Sequence, residues 1–255
     1  MSEWLVLTIA MIAACAVVLT ITVLQQRRLG DDDDPSETPD VIEYMTMMIG
    51  VVYAIVLGLA IAGVWEARSG AQDEARHEAQ ALHEVSARSE VWPAATHERI
   101  QRDVDAYVRH VVTKEWAVMI DKGGLSDRGT DLLDKVRRDV SDYVPRNDHE
   151  NQAYQPMVDQ VAAADDARNA RGENSGPTMP GVVWFGLIIG GLVTVGMIFM
   201  LQIRRSAREL LLAGLFSALI AFLLFLIWDL DAPFGRDVAD STGAFLSLFP
   251  GADSG

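Results

Sequence analysis

Met45-Thr-Met-Met-Ile-Gly-Val-Val-Tyr-Ala-Ile-Val-Leu-Gly-Leu-Ala-Ile-Ala-Gly-Val-Trp65-Glu-Ala-Arg-Ser-Gly-Ala-Gln-Asp-Glu-Ala-Arg-His-Glu-Ala79 decides the architecture, because an apolar span passes without a break into a charged amphipathic sequence. No proline falls between Pro39 and Pro93. The stretch therefore predicts one helix over roughly Glu43 to Val91, on the order of 70 Å long at about 1.5 Å per residue, more than twice the thickness of bilayer hydrocarbon.

Working outward, the apolar residues of the 255-residue chain gather in four charge-free runs: Trp4 to Leu24, Tyr44 to Trp65, Gly181 to Ile203 and Leu210 to Trp228. Each is about the 20 residues that a membrane-spanning helix requires. The expected fold is all-α, an integral membrane protein with four transmembrane helices and a helical extramembrane segment between the second and third. Residues 1–42 form the first span and an acidic linker, and residues 43–92 the second span with its amphipathic extension. Residues 93–180 form the extramembrane helices, 181–230 the third and fourth spans, and 231–255 a C-terminal tail.

The first run reads as a retained anchor: it lacks a basic lead-in, is longer than a signal core, and is followed by Gln-Gln-Arg-Arg instead of a small-residue cleavage site. The expected setting is a cell membrane crossed several times, with the lipid bilayer as principal partner. The only cysteine, Cys15, leaves no intrachain disulfide. A net charge of -15 argues against a nucleic-acid partner.

Beyond Trp65, Ala67, Ala71, Ala75, Ala79, Leu82 and Val85 recur near helical spacing, an alanine stripe suited to close helix approach. A second helix, with Thr96 as its N-cap, carries Ile100, Val104, Tyr107, Val108, Val111 and Val112 towards Gly123-Gly124. A third follows Leu132, Leu133, Val136, Val140 and Tyr143 to Pro145. A fourth starts at Pro156 with Met157, Val158, Val161, Ala162 and Ala164, leaving 147–151 and 171–180 as flexible links.

In lipid, small residues four apart let helices approach. The second span carries Gly50, Ala54, Gly58 and Ala62, which serve either helix packing or the lining of a pore. The spans hold no ionisable side chain, which argues against proton-coupled transport. The Asp31–Asp34 run with Glu37 and Asp40 has no calcium-loop alternation and reads as a solvated linker. Glu74 and His77 have di-iron spacing but no second such pair, and the other histidines have no zinc spacing. No metal, no cofactor and no catalytic residue set is therefore expected, and no enzyme.

Gly50-Val-Val-Tyr53, Val64-Trp65-Glu66, Glu78-Ala-Gln-Ala-Leu82, Tyr107-Val-Arg-His-Val-Val112, Glu115-Trp116, the pair Arg168 and Arg171, and Asp231-Ala-Pro233-Phe234-Gly235 together resemble the bestrophin-like domain family of bacterial membrane proteins. The resemblance covers nearly the whole chain. Similarity to bestrophins implies a homo-oligomeric channel for small anions with a pore-lining second span, a cytoplasmic middle segment and both termini on that side. Calcium gating does not carry over, because the acidic run here precedes the second span, whereas the animal bestrophin clasp follows the fourth. A non-conducting scaffold or sensor, passing change along the long second helix, is the alternative.

Overall fold

The computed structural model describes residues 40–200, 207–232, 234 and 238–252. The expected first span, Cys15, the aspartate run, Pro233 and Gly235 lie outside the described residues. Among those described, all regular structure is helical and no strand occurs. We label the α-helices α1 Asp40–Arg88, α2 Ala94–His110, α3 Trp116–Lys122, α4 Asp127–Ser141, α5 Asp148–Glu173, α6 Gly181–Met200, α7 Ala207–Leu230 and α8 Val238–Leu248.

The chain divides into two compact units, with the boundary in α1 between Trp65 and Glu66. The first unit holds α1 as far as Trp65 and the segment Met179–Asp231; the second holds Glu66–Thr178 and Ala232–Gly255. The 49 residues of α1 are thus one helix shared by both units.

In the first unit, Tyr53, Leu57 and Val64 of α1 are buried with Leu187 of α6 and Ile220, Ile227 and Leu230 of α7. The Tyr53 hydroxyl donates to the Leu187 carbonyl at 2.8 Å. Gly190 and Gly191 make room for that ring, since a Cβ on either would lie 2.8 Å from a Tyr53 side-chain atom. Asp231, just past α7, accepts from the Met179 backbone N–H at 2.8 Å and from Trp184 Nε1 at 3.0 Å. Thr194 and Ser217 spend their hydroxyls on the carbonyls of Gly190 and Ala213, so these polar groups in apolar helices are satisfied within their own turns. Met47, Met48, Val51, Val52, Ile55 and Leu59 remain exposed. Among the described residues, two helices, α1 and α7, are long and apolar enough to cross a membrane.

The core of the second unit contains the alanine stripe Ala71, Ala75 and Ala79 with Leu82 and Val85, buried among residues of α2 to α5. A short 3-10 turn, Ser89–Val91, ends α1 ahead of Pro93. Pro93 itself precedes α2, and its carbonyl accepts from Thr96 N at 2.8 Å, so Thr96 lies inside the helix instead of capping it. Between α2 and α3, Val111–Glu115 winds as a π-turn, which inserts one extra residue and resets the faces on which Glu115 and Trp116 emerge. Gly123, at φ 65°, ends α3 in the left-handed conformation.

Helix α5 begins eight residues before the Pro156 start that the sequence suggested. Asn147 accepts from Glu150 N at 2.9 Å, while the Glu150 carboxylate takes Asn147 Nδ2, Arg146 N and the Tyr143 hydroxyl. This reciprocal cap stabilises the start strongly enough that Pro156 is carried inside the helix, where its missing N–H forgoes one backbone bond. The expected link at 147–151 is accordingly a helix start, and Arg171 lies in the last turn of α5. The apolar tail folds as α8, with Phe245 fully buried in the core of the second unit.

Candidate functional site

The second unit is organised around charge. Arg171, from the end of α5, sets Nε at 2.7 Å from Glu78 Oε2 and Nη2 at 3.1 Å from Glu78 Oε1. The same Nη2 lies 2.8 Å from Glu115 Oε1, so one guanidinium bridges two carboxylates. One turn earlier, Arg168 gives Nη2 to Glu115 Oε2 at 2.9 Å, to the Ser126 carbonyl at 3.1 Å, and Nη1 to Thr130 Oγ1 at 3.1 Å. The Tyr107 hydroxyl donates to Glu78 Oε1. Two arginines thus face two glutamates and the cluster is neutral overall, which is how buried charges become tolerable. Glu78, Glu115 and Arg171 are fully buried.

Aromatic rings close one side. The Arg171 guanidinium stands 4.8 Å from the centroid of Trp116, a cation–π contact between two buried side chains. Phe234 and Phe245 pack edge-on against that indole, with centroids at 5.8 and 6.0 Å. Met119 Sδ accepts from Arg171 Nη1 at 2.8 Å.

Ser126 ties the cluster to the start of α4. Its Oγ donates to Glu115 Oε2 at 2.5 Å and accepts from Gly129 N at 3.0 Å, so it caps the helix and holds the carboxylate together. That single proton being spent, His110 Nε2, 2.8 Å from the same oxygen, must be the donor to it. Gly129 is required by space: a Cβ there would sit 2.0 Å from Glu115 Oε2 and 2.7 Å from Arg168 Nη2.

The electrostatics fix these groups in their resting protonation states. Burial pushes Tyr107 well above its usual value, reinforced by the charge of Glu78. Burial opposes the charge of Glu115, but Arg171, Ser126 and Arg168 outweigh it and hold the carboxyl below its usual range. Burial opposes the charge of Arg171 as well, and Glu78, Tyr107 and Glu115 outweigh it in turn. Burial lowers His110. Tyr107 is held as the neutral phenol, Glu115 as the carboxylate and Arg171 as the cation, which suits a structural joint more than proton transfer.

Of the residues singled out in the sequence, the fold brings together Glu78, Tyr107, Glu115, Trp116, Arg168, Arg171 and Phe234. Tyr53 sits in the core of the first unit, whereas Trp65 and Glu66 are exposed. Gly50, Ala54, Gly58 and Ala62 do not join Tyr53 and Leu57: the stripe is turned about a quarter of the way round α1 from them, at about 100° per residue. Ala54, Gly58 and Ala62 are exposed, and among the described residues nothing lies within 4 Å of a Cβ placed on Gly50 or Gly58. Ser126, Met119, Gly129 and Phe245 were missed as parts of the cluster. A serine three residues before a glycine at a helix start was the one local signal for two of them.

Residues 12–245 match the bestrophin-like domain. No curated protein matches the chain in sequence. Among solved structures, a mutant of a bacterial bestrophin homologue from Klebsiella pneumoniae superposes with a TM-score of 0.68 at 12% identity, over 94% of this chain and 98% of that one. At that identity the likeness speaks for the fold alone. The fold is that of a solved bestrophin homologue, and with the family's domain matched over residues 12–245 the chain belongs to the bestrophin-like domain family.

Proposed function

We propose that the chain is one subunit of an oligomeric, four-span channel of the cell membrane, conducting small anions along a path lined by Gly50, Ala54, Gly58 and Ala62. The carrying observation is that, among the described residues, nothing lies within 4 Å of a Cβ placed on Gly50 or Gly58 and Ala54 and Ala62 are exposed, although the adjoining face of α1 is packed against α6 and α7. Small side chains with open space beside them suit either a symmetry axis or a neighbouring copy, and a ring of subunits supplies both. The four spans are the run Trp4 to Leu24, α1 as far as Trp65, α6 and α7. Anions are the cargo that kinship with bestrophins suggests, and a span free of charged residues offers them no competing carboxylate. In this arrangement the second unit is cytoplasmic and the buried ionic cluster is its fastening.

Reconstitution into liposomes tests the reading. Halide flux above that of empty vesicles is expected, together with its loss in Gly58→Leu, whose added side chain starts with nothing within 4 Å among the described residues. Flux absent at several pH values counts heavily against conduction. Reporter fusions after Asp34 and after Gly124 should report opposite sides of the membrane.

The unbroken course of α1 from the span to Glu78 favours a second reading, a non-conducting sensor that passes change along this helix. A monomer or dimer in mild detergent, with no flux, would select it.

A further inference from the structure

Away from the ionic cluster, α2 and α4 present a carboxyl pair that the channel reading does not use. Asp103 Oδ1 of α2 accepts from Lys135 Nζ at 2.6 Å, and Asp139 Oδ1 of α4 pairs with Arg99 Nε at 3.2 Å. The second oxygen of each, Asp103 Oδ2 and Asp139 Oδ2, is buried with no hydrogen-bond donor among the described residues. The crossed pairs, Arg99 of α2 to Asp139 of α4 and Lys135 of α4 to Asp103 of α2, bring the two carboxyl groups together where the helices meet. Two ionised carboxylates cannot bond to each other, because each only accepts; one proton between them satisfies both orphaned oxygens and removes the repulsion.

We propose that Asp103 and Asp139 share one proton through their Oδ2 atoms, and that this proton pins α2 to α4. The inference does not depend on whether the chain conducts. The charges that act on the pair are Arg99 and Arg102 from α2 and Lys135 from α4. Arg137, also on α4, is engaged by Asp134 and by Asp165 of α5.

The two carboxyls divide the roles unequally. Burial and the hydrogen bond to Asp103 raise Asp139 to about 6. Burial opposes the charge of Asp103, but the bond to Asp139 and the Lys135 ammonium prevail and lower it. The proton therefore resides mainly on Asp139. A folded value raised above the unfolded one stabilises the fold below the unfolded value of 3.8, and that contribution is lost as pH rises through about 6. Above that pH two charges oppose each other across the helix pair. Tyr107 lies one turn beyond Asp103, and Ser126 caps the helix that carries Asp139, so the proton secures the two helices that hold the ionic cluster.

Infrared difference spectroscopy on the full chain in mild detergent tests the sharing, comparing about pH 5 with about pH 7.5. A protonated-carboxyl carbonyl band is expected to vanish with a midpoint near 6, and to be missing in Asp139→Asn. Arg99→Met removes the cation on Asp139 and should raise the midpoint by about one unit, a tenfold gain in proton affinity. A spectrum with no such band, a band unchanged in Asp139→Asn, or a midpoint unmoved in Arg99→Met overturns the proposal. Should Asp139→Asn fail to fold, the wild-type titration and Arg99→Met decide the matter between them.

Discussion

Arg171 and Glu78, 93 residues apart in sequence, meet in a two-pronged ion pair from which water is excluded on every side. Breaking one partner leaves a buried charge without its counterion, which costs about 3–5 kcal/mol. Glu78→Met should therefore be destabilised by about that much in chemical denaturation. Glu78→Met combined with Arg171→Met leaves Arg168 and Glu115 as a balanced pair, and should recover a large part of the loss. A double variant as unstable as the sum of the two singles would show that neutrality is not what the cluster needs.

The glycine at 129 offers a steric test. Gly129→Ala drives a methyl into the Glu115 carboxylate, and about 1–3 kcal/mol of destabilisation is expected. Gly70→Ala, with nothing within 4 Å, should be neutral or gain about 0.5–1 kcal/mol from helix propensity. Thermal unfolding of the two variants side by side checks the contrast, and equal melting points would contradict it.

In the first unit, Tyr53 and Gly190 should prove coupled. Gly190→Ala forces the methyl against the Tyr53 ring, whereas in a Tyr53→Ala background the same change meets open space. A double-mutant cycle in detergent is expected to give a coupling of about 1–3 kcal/mol. Additive effects would mean that the helices reposition to absorb the methyl.

Acid should loosen the cluster through Glu115. Its folded value lies below its ordinary 4.5, so its contribution to stability is complete above 4.5 and is lost as pH falls through the folded value. Denaturation midpoints followed downward from about pH 6 should drop more steeply for the wild type than for Glu115→Gln. Parallel curves would remove Glu115 from the acid response.

The helices were largely legible from the sequence because their apolar periodicity is strong. The alanine stripe gave the buried face of α1 beyond Trp65, and Leu132 to Val140 gave that of α4. The start of α5 was not, since Pro156 is a loud local signal and the reciprocal cap of Asn147 with Glu150 a quiet one. The cluster was legible only as separate motif residues. That Arg171 chooses Glu78 and Glu115 depends on how three distant helices cross, which no local pattern encodes. The π-turn at Val111–Glu115 was likewise invisible, because it leaves the spacing of apolar residues nearly helical.

The aromatic packing around Trp116 has a consequence for biogenesis. The second unit draws its core from the segment Glu66–Thr178 and also from Phe234 and Phe245, which are synthesised only after α6 and α7. While those two helices are being made, one flank of the Trp116 indole and the guanidinium beside it lacks its cover. The core of the second unit therefore cannot be complete until Phe245 has been synthesised, after the Met179–Asp231 segment of the first.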